Sequence, residues 1–161
     1  MKVSVVIPEL YHPDGKLLQA PTLRNAGYGL KFFVVVENVS AADLYIWAEG
    51  NSVGDSTLSF DVTGSDGVKK LIKRIEQEQS KNFIKAERLA PDGYQVRAIE
   101  YDNDPKNTPQ WEKFPFGAKY TRREVTLRAI FEQPKKDNGE KLAIWSGKVV
   151  SAPCKVVLEN E

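Results

Sequence analysis

The sequence predicts an all-β protein, an antiparallel β-sandwich of about seven to nine strands. Three observations carry that expectation. Runs rich in β-branched and aromatic residues recur along the chain, as they do where strands pack in layers. Turn chemistry separates the runs, most clearly at Asp66-Gly67 and Asp92-Gly93, because such dipeptides reach the backbone conformations that tight hairpins need. The last third reads VTLRAIFE at 125–132, a charged loop, then LAIWSGKVVSAPCKVVLE at 142–159, the pattern of closing strands. With 161 residues and 41% hydrophobic content, one domain spanning 1–161 can bury a sizeable core.

In chain order, Val3, Val5 and Ile7 alternate with Lys2 and Ser4 until Pro8 stops the run. Over 30–37, Leu30, Phe32, Val34 and Val36 share one strand face, with Lys31, Phe33, Val35 and Glu37 on the other. Phe33 and Val35 make the second face apolar too, which predicts a central strand. Residues 38–43 form a turn and 44–50 pair back. Leu58, Phe60 and Val62 alternate with Ser59, Asp61 and Thr63 before the turn at 64–67. Val68, Leu71, Ile72 and Ile75 then stand at helical spacing. Context favours a strand at 68–72, and a short helix near 71–81 stays open. A strand over 83–89 ends at a turn containing Pro91, and 94–102 resume the sheet. Residues 103–120 hold three prolines and read as a long loop, a kind of segment that is often functional. Val125, Leu127, Ala129 and Phe131 line one inward face, and parity also places Trp145 and Cys154 in the core.

Charge and motifs exclude several classes of function. Lys and Arg number 23 against 22 Asp and Glu, so no positive excess is left for a nucleic-acid partner. The basic cluster Lys69, Lys70, Lys73, Arg74 is followed by Glu76 and Glu78 and reads as a solvated face. No apolar run approaches the roughly 18 residues of a membrane span, so membrane insertion is not expected. The N-terminus lacks the apolar core of a signal peptide. The protein is therefore cytoplasmic, or extracytoplasmic if a leader has been removed. Cys154, the only cysteine, allows no internal disulfide. Asn38-Val39-Ser40 matches the glycosylation acceptor pattern.

Nothing in the sequence points to an enzyme or a cofactor. His12 is the sole histidine, stands beside Pro13 in a turn, and would have to supply any histidine general base alone. One His and one Cys fall short of a zinc site. Asp102, Asp104 and Asn107 offer clustered oxygens suited to calcium, and also the ordinary side-chain bonding of a polar turn. Trp111, Phe114 and Phe116, in the long loop, are the aromatic cluster that strand alternation does not explain, and they are the candidate binding residues.

FFVVVENVSAADLYI at 32–46, ERLAPDG at 87–93, TLRAIFE at 126–132 and IWSGKVVSAPCKVVLE at 144–159 together resemble bacterial immunoglobulin-like and fibronectin-III-like sandwich domains. The hairpin with its Asn-x-Ser and the Leu-x-Pro-Gly turn, here with Asp92 ahead of the glycine, are also similar to bacterial intracellular proteinase inhibitors. The resemblance spans about 30–160 and implies an immunoglobulin-like topology, without the Cys-Trp-Cys pattern of antibody domains. The expected function is a non-enzymatic binding, adhesion or accessory module with a protein partner. The alternatives are a proteinase inhibitor that presents a loop, or a carbohydrate-binding module with Trp47, Trp111 and tyrosines in one exposed plane.

Overall fold

A computed structural model of the chain describes residues 1–8, 21–25, 31–50, 52–75, 85–100, 110–135 and 144–160. The fold is all-β and sandwich-like, with eleven strands and one helical turn among the described residues. In order these are β1 (Lys2–Val6), β2 (Thr22–Asn25), β3 (Lys31–Glu37), β4 (Leu44–Trp47), α1 (Ser52–Asp55), β5 (Leu58–Gly64), β6 (Lys69–Lys73), β7 (Ala86–Leu89), β8 (Tyr94–Glu100), β9 (Thr121–Gln133), β10 (Gly147–Val150) and β11 (Cys154–Asn160). The count exceeds seven to nine in part because β2, with four residues, is too short to show a period of two.

One sheet has the order β1-β3-β8, and a larger one the order β2-β11-β9-β5-β6, with β10 also on β9. β4 and β7 form a separate two-stranded ribbon. Pairing is antiparallel except between β2 and β11, which run parallel. β3 is the centre of its sheet, as its two apolar faces predict. Lys69–Lys73 is a strand rather than a helix, paired to β5 with Ile72 opposite Phe60. Residues 76–81 of the alternative helix lie outside the described residues.

The turns form where the sequence places them. Gly67 closes the β5–β6 hairpin at φ 77° and donates its N–H to the Gly64 carbonyl at 2.9 Å, while Asp66 Oδ1 accepts from Val68 N at 3.0 Å. Asp92 occupies the left-handed region at φ 59°, one of the few side chains that tolerate it. β10 and β11 are one strand interrupted. Val150 faces Ile130 and Cys154 faces Leu127, so residues 151–153 span 128–129, a one-residue bulge. Ser151 holds it with Oγ accepting from Ala129 N and its own N–H donating to Ala129 O, both at 2.9 Å.

The core lies between the two larger sheets. Phe32, Val34 and Val36 of β3 face Phe60 and Val62 of β5 and the β9 row Val125, Leu127, Ala129 and Phe131, all buried. Phe32 meets Phe60 edge-on with ring centroids 5.2 Å apart, the geometry aromatic quadrupoles favour. Val3 and Leu158 belong to the same cluster, so both ends of the chain contribute to one core. Among the described residues no helix is long and apolar enough to cross a membrane.

Candidate binding surface

The aromatic residues expected to form an exposed loop surface lie in the core instead. Trp111 is 5% exposed and Phe114 2%, and Phe116 is partly buried against them. The chain around Trp111 adds to the open edge of β6: Ile75 N donates to Gln110 O and Glu112 N to Lys73 O, each at 2.9 Å. Trp111 then packs 5.1 Å from the Phe60 ring under the Arg74 guanidinium, and Phe114 packs 6.2 Å from Phe32. Its aromatics fill space between the sheets, and their spacing of three residues hides this from a period-two reading. The aromatic that this stretch leaves in solvent is Tyr120, 82% exposed at φ 62°. Nothing in the sequence signals that conformation.

The exposed tryptophan plane does not form either. Trp47 is 2% exposed, and Trp145 is half-buried, stacked on Phe131 at 5.7 Å. Asp102, Asp104, Asn107 and His12 lie outside the described residues, and among the described residues no group of three or more His, Cys, Asp or Glu is placed to hold a metal. Cys154 is half-buried, and burial pushes its thiol pKa up, away from the thiolate that reactivity needs. Asn38 is fully buried and is spent on structure. Its Nδ2 donates to the carbonyls of Ala42, Leu89 and Ala90 at 2.8–3.0 Å, and its Oδ1 accepts from Ser40 N and Oγ. In the folded protein it locks the β3–β4 turn to the β7–β8 turn and offers no acceptor amide for a glycan.

A buried arginine is the main feature that sequence reasoning missed. Arg97, on β8, is 1% exposed. Its Nε donates to Gln95 Oε1 and its Nη1 to Thr57 Oγ1, both at 2.9 Å, with longer contacts to Gly54 O (3.4 Å) and Trp47 O (3.5 Å). The guanidinium lies 5.2 Å over the Phe131 ring. Glu49 Oε1 stands 3.8 Å from both Arg97 and Arg74, too far for a direct hydrogen bond. Asp55 makes the shorter pair with Arg74 at 3.1 Å. Burial lowers the Arg97 pKa, with Glu49 pulling it partly back. Burial also raises that of Glu49, against the pull of the two guanidiniums. The cluster fastens residues 47–57 to β8 from inside and is closed to a ligand by its own bonds.

The surface that remains is the outer face of β1-β3-β8. Register sets its rows: Lys2, Glu37 and Tyr94; Ser4, Val35 and Val96; Val6, Phe33 and Ala98. Val6 is 46% exposed, Val96 49% and Tyr94 66%, with Phe33 and Val35 half-buried between them. Lys2 Nζ donates to Glu37 at 2.9 Å on the rim. An open groove of about 270 Å³ on the larger sheet, between β5, β9 and β11, is by contrast lined by Thr63, Ser65, Glu124, Thr126 and Lys155 among others. Comparison with protein-family models, with curated proteins and with solved structures finds no match to this chain.

Proposed function

We propose that the protein is a non-enzymatic binding module of one domain, and that the outer face of β1-β3-β8 is its contact surface for a protein partner. The observation that carries this reading is the contiguous apolar tract Val6, Phe33, Val35, Val96 and Ala98 on one sheet face, with Val6 and Val96 about half exposed. Contiguous exposed apolar tracts rimmed by polar residues mark contact sites, whereas single exposed hydrophobics do not. The parallel β2–β11 pair and the strand orders favour an immunoglobulin-like topology for the module.

Photocrosslinking in the source cells tests the reading. A photoreactive residue replacing Val96 is expected to give protein adducts that the same residue replacing Lys155, on the opposite sheet, does not. Adducts from both positions alike, or from neither, overturn it.

A further inference from the structure

We infer that the groove on the outer face of the larger sheet is a binding site for a zwitterionic α-amino acid, separate from the contact surface on β1-β3-β8. Register builds its walls. Thr63, Thr126 and Lys155 stand in one row across β5, β9 and β11, and Glu124 and Val157 in the next, with Ser65 beyond the end of β5. All six line the groove of about 270 Å³. Glu124 and Lys155 are diagonal neighbours, and such positions stand about 7–8 Å apart. Elsewhere on this face opposite charges close on each other, Arg122 on Glu159 at 3.5 Å and Lys148 on Glu132 at 3.0 Å. The Glu124 carboxylate and the Lys155 ammonium make no ion pair, and the hydroxyls of Thr63, Ser65 and Thr126 make no hydrogen bond, with any described residue.

One carboxylate and one ammonium with a gap between them select the occupant. A ligand with a single charge satisfies one group and leaves the other unpaired, so complementarity requires both signs close together on one small molecule. An α-amino acid has both. Its ammonium donates to Glu124 and its carboxylate accepts from Lys155 Nζ, charge-assisted bonds roughly twice as strong as neutral ones. The Thr126 hydroxyl, beside Lys155 in its row, donates to the same carboxylate. Val157, 6% exposed, is an apolar wall beside Glu124. Size and lining exclude larger occupants. The volume lies below the roughly 300–1,000 Å³ of pockets that enclose drug-sized molecules. The described lining residues include no aromatic ring on which a sugar could stack. Because the groove is open and the ligand small, the expected affinity is millimolar.

Titration of the full chain with L-serine and with L-leucine to about 20 mM, followed by backbone amide shifts in NMR spectra, tests this where millimolar complexes saturate. Saturable shifts are expected at Thr63, Ser65, Thr126 and Lys155. Ethanolamine, which keeps the ammonium alone, and glycolate, which keeps the carboxylate alone, are expected to bind at least tenfold more weakly. Glu124→Lys and Lys155→Glu are each expected to weaken the amino acids by at least tenfold. The double variant, which exchanges the two charges, is expected to bind them again turned end for end, a recovery that local destabilisation would not produce. Both positions are exposed. Circular dichroism melts establish that each variant folds, and Glu124→Gln and Lys155→Met carry the test if a charge reversal does not. No saturable shift with either amino acid at about 20 mM, equal binding of ethanolamine or glycolate, binding indifferent to both charge reversals, or a folded double variant that fails to bind overturns the inference. Glucose, added as the neutral alternative, overturns it if it shifts the same resonances and the amino acids do not.

Discussion

The two outer faces of the molecule are built from similar strands and carry opposite chemistry. On the larger sheet Glu132 pairs with Lys148 at 3.0 Å and Arg122 with Glu159 at 3.5 Å, Arg128, Glu124 and Lys155 are exposed, and Leu71 and Val150 are apolar interruptions. Its β6 edge carries Lys69, Lys70 and Lys73, and lysines on an edge strand discourage pairing with other chains. The smaller sheet replaces that charge with Val6, Phe33, Val35, Val96 and Ala98. Inward, both sheets present Phe, Val and Ile to one core, the larger adding Leu and the smaller the buried Arg97. Burial in that core therefore accounts for one apolar face of β3. The other face is half-buried at Phe33 and Val35 and about half exposed at Val6 and Val96, and contact with a partner is the role we propose for it.

The comparison presumes that both inward faces are buried in one core, and the largest effects test that. Phe131→Ala on β9 and Trp111→Ala at the β6 edge are each expected to cost about 3–5 kcal/mol by urea denaturation, because each empties a large buried volume. A Trp111→Ala protein as stable as wild type would return residues 110–116 to the surface. Arg97→Ala is expected to cost about 3 kcal/mol, since it strips Thr57 and Gln95 of their donor and leaves Glu49 and Asp55 facing Arg74 alone. Arg128→Ala, on the charged outer face, is expected to cost under about 0.5 kcal/mol. Equal losses for the two arginines would mean that their faces have been misassigned.

Those arginines also show what the sequence makes legible. Arg97-Ala98-Ile99 and Arg128-Ala129-Ile130 are the same tripeptide, yet the first buries Arg and Ile and the second buries Ala. Parity along the strand decides this. Val125, Leu127 and Phe131 announce the inward face of β9, whereas Gln95 and Arg97 conceal that of β8, and only Ile99 marks it. Hairpin turns were readable because Asp66-Gly67 and Asp92-Gly93 act locally. The fate of Trp111 and Phe114 was not, because it depends on which strand edge lies beside a loop. Apolar residues on both faces of β3 identified a central strand correctly. How far the second face would be covered depends on which elements pack there, which spacing alone does not encode.

Smaller effects sharpen the contrast between the outer faces. Val96→Ser and Val6→Ser are expected to change stability by no more than about 0.5 kcal/mol, since about half of each residue is already in water. A cost near that of the core variants, seen in the same urea titrations, would mean that another part of the chain covers the face.

The smallest effect lies in the pH dependence of Glu49, the carboxylate that both Arg97 and Arg74 approach. Burial raises its pKa above the ordinary 4.5 despite the two guanidiniums. With the folded value above the unfolded one, the folded protein holds a proton that the unfolded chain has lost. The resulting stability is fully present below 4.5 and is lost as pH rises through the folded value. Glu49 is about a third exposed, so solvent screening keeps the change small. Glu49→Gln does not titrate at this site. The stability difference, wild type minus Glu49→Gln, is thus expected to fall as pH rises above 4.5 in parallel urea titrations and then to level off. A difference that rises over the same window would show that attraction to Arg97 and Arg74 outweighs desolvation, and that the cluster is held by charge rather than by the neutral acceptors around Arg97.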